Sequence, residues 1–181
     1  MPSFTYEYPR PAMTVDIALF CIRDDILNVL LVQRGKEPYL GEWALPGGFV
    51  NLDESLGSAA ARELEEETGI KEVLLKQLFT FGDPGRDPRG WVVTVSYYSI
   101  LYQELQIQTG GGSDANQANW FPIDKLPPLA FDHDKILFCA LKKIRNNFED
   151  TIIEFDLLPE KPKSNSLQRL YENLQSKKME E

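Results

Sequence analysis

Glu63, Glu66 and Glu67 stand at i, i+3 and i+4 in the stretch ARELEEETGI, a spacing that puts their carboxylates on one face of a helix. Like charges that close repel one another, so the cluster adds nothing to the stability of the helix. Carboxylate oxygens are hard donors suited to Mg²⁺ or Mn²⁺, ions that also keep waters and take phosphate oxygens as ligands. The competing reading is a solvated acidic face of the kind common in acidic proteins. Upstream, Pro46-Gly47-Gly48 offers two glycines that let the backbone bring its carbonyls near a ligand.

These groups need elements to hold them. The spacing predicts a helix over about 55–68, with Ser55 or Asn51 as N-cap, Leu56, Ala59, Ala60 and Leu64 on its packed face, and Gly69 closing it in left-handed geometry. Ahead of it, TVDIALFCI and ILNVLLVQR read as two strands joined by a turn at Arg23-Asp24-Asp25. After it, EVLLKQLFTF reads as a strand, GDPGRDPRG as a loop with two arginines, and WVVTVSYYSILY as a strand near the sheet centre. QTGGGSDANQAN is expected as a loop and NWFPI as a short strand. Asp132 is expected to cap a helix whose apolar positions are Ile136, Leu137, Ala140, Leu141, Ile144 and Phe148. One domain over 1–148 results, followed by a C-terminal appendage over 149–181 that is too short to fold alone.

Composition narrows the partners. The 181 residues carry 19 Lys+Arg against 28 Asp+Glu, a net charge of −9 that disfavours a broad nucleic-acid or anionic-membrane surface. Cys21 and Cys139 each sit in an apolar run, which fits small packed side chains in a reducing compartment better than a disulfide or metal pair. The first residues, MPSFTYEYPRPAM, have neither a basic start nor an apolar stretch of signal length, and no segment is long enough to span a bilayer. A cytoplasmic protein is expected.

From Gly48 the chain runs Gly, five residues, Glu54, seven residues, Arg62-Glu63-Leu64, one residue, Glu66-Glu67, one residue, Gly69-Ile70. At every position this resembles the signature of the Nudix hydrolases. The resemblance implies an α/β fold, an α/β/α sandwich with a mixed sheet, and a loop–helix–loop that binds divalent metal, Mg²⁺ or Mn²⁺, for cleavage of a diphosphate linked to another moiety. Carried onto this chain, Glu66 and Glu67 are the main metal ligands, Glu63 is a third ligand or the acceptor of a proton from water, and the Gly47 carbonyl is a further ligand. Arg62 is expected to hold the acidic face by ion pairs, and Glu54 to support the loop from behind. Family members differ in where the base sits, and Asp114 is a loop candidate, with a turn-forming role as the alternative.

RPAMTVDIALF, LLVQRGKEPYLGEWALPGGFV, FGDPGRDPRGW and NWFPIDKLPPLAFDHDKIL resemble, in that order, the ADP-ribose pyrophosphatase branch and the Nudix-type regulators of NAD metabolism. That resemblance implies ADP-ribose as substrate, AMP and ribose 5-phosphate as products, and a homodimer. Arg34, Arg86 and Arg89, with Gly48, are the candidates for contacting substrate, each arginine alternatively an exposed loop charge. Trp43, Trp91 and Phe81 are candidates for stacking on adenine or are core residues. His133 reads as a helix-start residue with no catalytic part. The tail IIEFDLLPE…SLQRLYENL resembles the front of a regulator's winged helix, so an ADP-ribose-sensing transcription regulator is the rival reading, with a broad housecleaning Nudix enzyme as a third. The chain ends at KKMEE with residues 131–181 not basic overall, so DNA binding by this chain is not expected.

Overall fold

The computed structural model describes residues 7–23, 26–101, 107 and 115–149. Strand β1 (Ala12–Arg23) is buried along most of its length, as expected of an apolar run covered on both faces. It pairs in parallel with β6 (Val92–Leu101), from Ala12↔Val92 to Cys21↔Leu101. Along its other edge β1 changes partner. Thr14, Val15 and Asp16 pair with Phe49, Gly48 and Gly47 of β4 (Gly47–Phe49), whereas Phe20 to Arg23 pair with Val29 to Ile26 of β2 (Ile26–Arg34). The sheet order is β3-β2-β1-β6-β5, with β3 at Trp43–Ala44 and β5 at Lys76–Phe81, and β7 (Ala115–Pro122) also lies against β2.

Two helices cover the sheet. Val15, Ile17 and Leu19 of β1 pack with Ala59, Ala60 and Leu64 of α1 (Leu56–Thr68). Ala18 and Phe20, one residue out of phase, pack with Ile136, Leu137, Ala140 and Ile144 of α2 (His133–Glu149). The strand period of two thus feeds two cores, and the result is the expected α/β/α sandwich with a mixed sheet. Asp16 lies in the α2-facing row, where an apolar residue would continue the core.

Helix α1 matches its sequence reading. The Ser55 side chain accepts from the Ser58 N–H at 3.1 Å, and Gly69 at φ 73° closes the last turn by donating to the Glu65 carbonyl. Cys21 is buried and Cys139 half-buried, and neither forms a disulfide.

Three readings need correction. The expected loop QTGGGSDANQAN is strand from Ala115 onward, because pairing with β2 from Arg34 to Asn28 supplies the order that its polar residues do not. The strand expected at EVLLKQLFTF begins only at Lys76, since Glu72 takes a positive φ of 57° and pairing with β6 starts at Lys76↔Tyr98. Asp132 precedes α2 as expected, but its carboxylate accepts Arg86 Nε at 3.0 Å and Nη2 at 2.6 Å. Asp114 and the tail from Asp150 onward lie outside the described residues.

Candidate active site

Where β1 exchanges β4 for β2, a cavity of about 400 Å³ opens, of a size that suits a nucleotide-like ligand. Its walls bring together Gly47, Gly48, Arg62, Glu63, Glu66, Glu67, Arg34, Arg86 and Arg89. Every described residue singled out from the sequence as a candidate metal ligand, and each of the three candidate arginines, is therefore in one pocket.

The glutamates occupy three different environments. Glu67 is buried, and its Oε2 accepts the Gly47 N–H at 3.0 Å. Burial pushes its carboxyl up to about 8, against the pull of that amide, and the charges of Glu63 and Asp16 push the same way. Glu63 is also raised by burial, with Arg62 opposing. Glu66 is more than half exposed. Glu65, the remaining member of the run, pairs with Lys71 at 2.6 Å and does not line the cavity.

Arg62 ties this face together. Its Nη2 donates to Glu54 Oε1 at 2.6 Å and to the Phe49 carbonyl at 3.1 Å, and its Nη1 to Glu63 at 2.7 Å and Glu66 at 3.2 Å. The bonds from Arg62 first, and then the Asn51 N–H that Glu54 Oε1 accepts at 2.6 Å, hold the Glu54 carboxyl down at about 2.

The two glycines have steric reasons to be there. A Cβ on Gly47 would run into the Val15 carbonyl oxygen, and one on Gly48 would lie 2.5 Å from the Glu63 carboxylate.

Two of the arginines lie against one ring. Arg34 lies 4.7 Å and Arg89 5.2 Å from the centre of Phe131, and Arg89 also lies 4.9 Å from that of Phe49. Arg34 Nε donates to the Pro38 carbonyl at 2.7 Å. Arg89 is forked onto Asp87; burial alone would raise the Asp87 carboxyl, and the Arg89 bonds outweigh it. The Arg86 side chain is buried, with Asp132 on its fork and Asp16 at 3.8 Å. Phe131 itself holds a left-handed backbone at φ 56°, a conformation that a bulky residue keeps only when its surroundings impose it.

Asp16, Phe49, Phe131 and His133 line the pocket without having been singled out for it. Asp16 had a signal, an acid in the middle of an otherwise apolar strand. The proposed stacking residues are elsewhere: Trp43 packs edge-on to Phe121 at 4.6 Å, Phe81 edge-on to Phe79 at 5.5 Å, and Trp91 is exposed. None of the three lines the cavity.

The residues fit a hard divalent cation by donor type. Carboxylates and a backbone carbonyl offer oxygens alone, and Glu67 carries a charge that burial and its acidic neighbours disfavour, a condition that a cation relieves. Among the described residues no three His, Cys, Asp or Glu side chains are gathered closely enough to grip an ion as they stand. Helical spacing places Glu63, Glu66 and Glu67 on one face as expected, but Arg62 draws the first two to itself while the Gly47 amide holds the third.

The sandwich thus opens its sheet onto an acidic helix face, whose oxygens suit a hard cation by type, and onto three arginines. A family profile described as NUDIX domain matches residues 12–139, and the chain belongs to that family. It is 38% identical over 174 residues to the ADPR responsive transcriptional repressor NtrR of Acinetobacter baylyi, covering 92% of this chain and 67% of the relative. It is also 38% identical over 131 residues to the ADP-ribose pyrophosphatase of Methanocaldococcus jannaschii, covering 72% of this chain and 73% of that enzyme. Among solved structures, the Nudix domain of Shewanella oneidensis NrtR complexed with ADP ribose superposes with a TM-score of 0.71 at 38% identity, over 76% of this chain and 90% of that one. Among the described residues, no helix is long and apolar enough to cross a membrane.

Proposed function

We propose that the protein is a divalent-metal-dependent hydrolase that cleaves the diphosphate of ADP-ribose, or of a related nucleoside diphosphate derivative, to AMP and ribose 5-phosphate. The observation that carries this reading is the meeting, in one cavity, of the complete acidic helix face with Arg34, Arg86 and Arg89. Likeness to an ADP-ribose pyrophosphatase over most of the domain supports the choice of substrate.

Bound Mg²⁺ or Mn²⁺ would neutralise the diphosphate and orient a water for in-line attack. Glu66, Glu67, Glu63 and the Gly47 carbonyl are the groups that would hold it. Gly48 leaves space for the Glu63 carboxylate, which acts as ligand or as acceptor of the water proton. Arg62 keeps Glu63 and Glu66 oriented toward the pocket. Arg34 and Arg89, layered on Phe131, bring guanidinium charge toward phosphate or ribose oxygens, and Arg86, held on Asp132, stands in the same wall. Asp114 remains a candidate base. A cytoplasmic homodimer completes the proposal.

A second reading is favoured by one observation: the likeness to a transcriptional repressor extends over 92% of this chain. In that case the same pocket senses ADP-ribose instead of consuming it. AMP release from ADP-ribose, ADP-glucose, NADH, diadenosine polyphosphates and nucleoside triphosphates in Mg²⁺ decides between the two, with Glu66→Gln as control. Rapid release from ADP-ribose, lost in the variant, is the expected result. Tight ADP-ribose binding without turnover would favour the sensor, and comparable release across the panel a broad housecleaning enzyme.

A further inference from the structure

His133 is the chain's single histidine, and it is buried. Its Nδ1 accepts the N–H of Leu45 at 2.9 Å, so the ring is neutral at that nitrogen and Nε2 carries the proton. Nε2 lies 3.5 Å from Asp16 Oδ1. Asp16 pairs with Gly47, which follows Leu45 by two residues, so one imidazole reaches Asp16 and the backbone just ahead of its pairing partner.

The backbone between Leu45 and Gly47 has few other anchors. The Pro46 carbonyl accepts the Ile17 N–H at 2.8 Å, proline has no N–H to offer, and the Gly47 N–H goes to Glu67. Leu45 is buried, so its N–H has no access to water and depends on a side chain from the start of α2. The Phe131 ring, tilted 31° at 5.4 Å, braces the imidazole from the pocket side.

We propose that His133 is a positioning residue of the site: by accepting the Leu45 N–H it fixes the backbone that sets Gly47 against Glu67. The kinetic consequence rests on the hydrolase reading; the structural one does not.

His133→Asn and His133→Gln separate the two ends of the ring, since the Asn oxygen stands as far from Cβ as Nδ1 does, whereas the Gln head reaches toward the Nε2 position. Three quantities are measured: hydrogen exchange at the Leu45 and Gly47 amides, Mn²⁺ affinity by electron paramagnetic resonance, and kcat and KM on ADP-ribose. In the Asn variant, Leu45 protection is expected to persist and kcat to stay within about threefold. In the Gln variant, Leu45 exchange is expected to quicken about tenfold or more with the amides of Ile136 to Ile144 unchanged. Mn²⁺ affinity or kcat there falls about 10–100-fold while KM holds, the usual loss when a group behind the ligands is removed. Equal Leu45 exchange in both variants, or quickened exchange with Mn²⁺ affinity and kcat both untouched, overturns the proposal. Should the Gln variant not fold, loss of kcat in an Asn variant that keeps Leu45 protected overturns it as well. A parent protein that turns over no ADP-ribose defeats the hydrolase reading, and exchange and Mn²⁺ affinity then decide for or against His133.

Discussion

The Gly47 amide and the Glu67 carboxylate, twenty residues apart in sequence, are joined by a 3.0 Å hydrogen bond that fastens the glycine loop to the last turn of α1. The same carboxylate is buried beside Glu63 and Asp16, so one amide offsets only part of the cost of its charge. The loop is thereby tied to the group whose ionisation a cation would favour most.

Glu67 should make the metal-free protein lose stability as pH rises. Its folded pKa of about 8 lies above the ordinary 4.5, so the folded chain holds a proton that the unfolded chain has released across that interval. The contribution is complete below pH 4.5 and lost as pH rises through about 8, with a slope of at most about 1.4 kcal/mol per pH unit. In EDTA, Glu67→Gln should therefore raise Tm relative to the parent more at pH 8 than at pH 5. Excess Mn²⁺ should stabilise the parent and not the variant. Parallel Tm–pH curves for the two proteins in EDTA would refute this account.

Gly47→Ala and Gly48→Ala should fail differently. The first drives a methyl into the backbone of Val15 at a positive φ of 158°, where nothing nearby moves easily. A loss of about 1–3 kcal/mol in denaturant unfolding is expected, the usual cost of overpacking. The second meets the end of the Glu63 side chain, which swings aside. Its stability should stay within about 1 kcal/mol of the parent while kcat falls about tenfold or more, the low end of what disturbing a carboxylate near the metal costs. Equal unfolding curves for the two variants would contradict the steric argument.

Local signals made α1 legible: Ser55, Gly69 and the 3.6-residue period act within one segment. The glutamate face needed only that helix. Asp16 and His133 became site residues through a sheet switch and a helix start that only tertiary packing brings together, and no local spacing encodes that meeting. Phe131 illustrates the same limit, since its place between Arg34 and Arg89 depends on two loops and a left-handed backbone. Strand Ala115–Pro122 was illegible over ANQAN because β2 imposes its pairing, including a register shift at Gln33/Arg34.

Arg62→Lys should behave as a disruptive change. One guanidinium serves Glu54, Glu63, Glu66 and the Phe49 carbonyl, a planar fan that an ammonium point charge cannot reproduce. A stability loss of about 2 kcal/mol in EDTA is expected, within the range for hydrogen bonds to charged groups. Saturating Mn²⁺ should shrink that loss by offsetting the repulsion between Glu63 and Glu66. An EDTA unfolding curve that overlays the parent's would show the fan to be dispensable.

Arg86 and Asp132 form a buried fork whose partners should be interdependent. Both side chains are at most 10% exposed, and Asp16 stands 3.8 Å from the same guanidinium nitrogen. Removing one partner leaves the other charge buried and unpaired, so Arg86→Met and Asp132→Asn should each cost about 3–5 kcal/mol. The double variant should cost markedly less than the sum, because the second substitution removes the stranded charge. Chemical denaturation of the four proteins in the cycle measures the coupling directly. Strict additivity would mean that each residue acts through separate contacts. If Arg86 acts on substrate as well as on Asp132, Arg86→Met should raise KM for ADP-ribose well beyond Asp132→Asn at matched stability; if the arginine only braces the pocket, the two variants should shift KM alike.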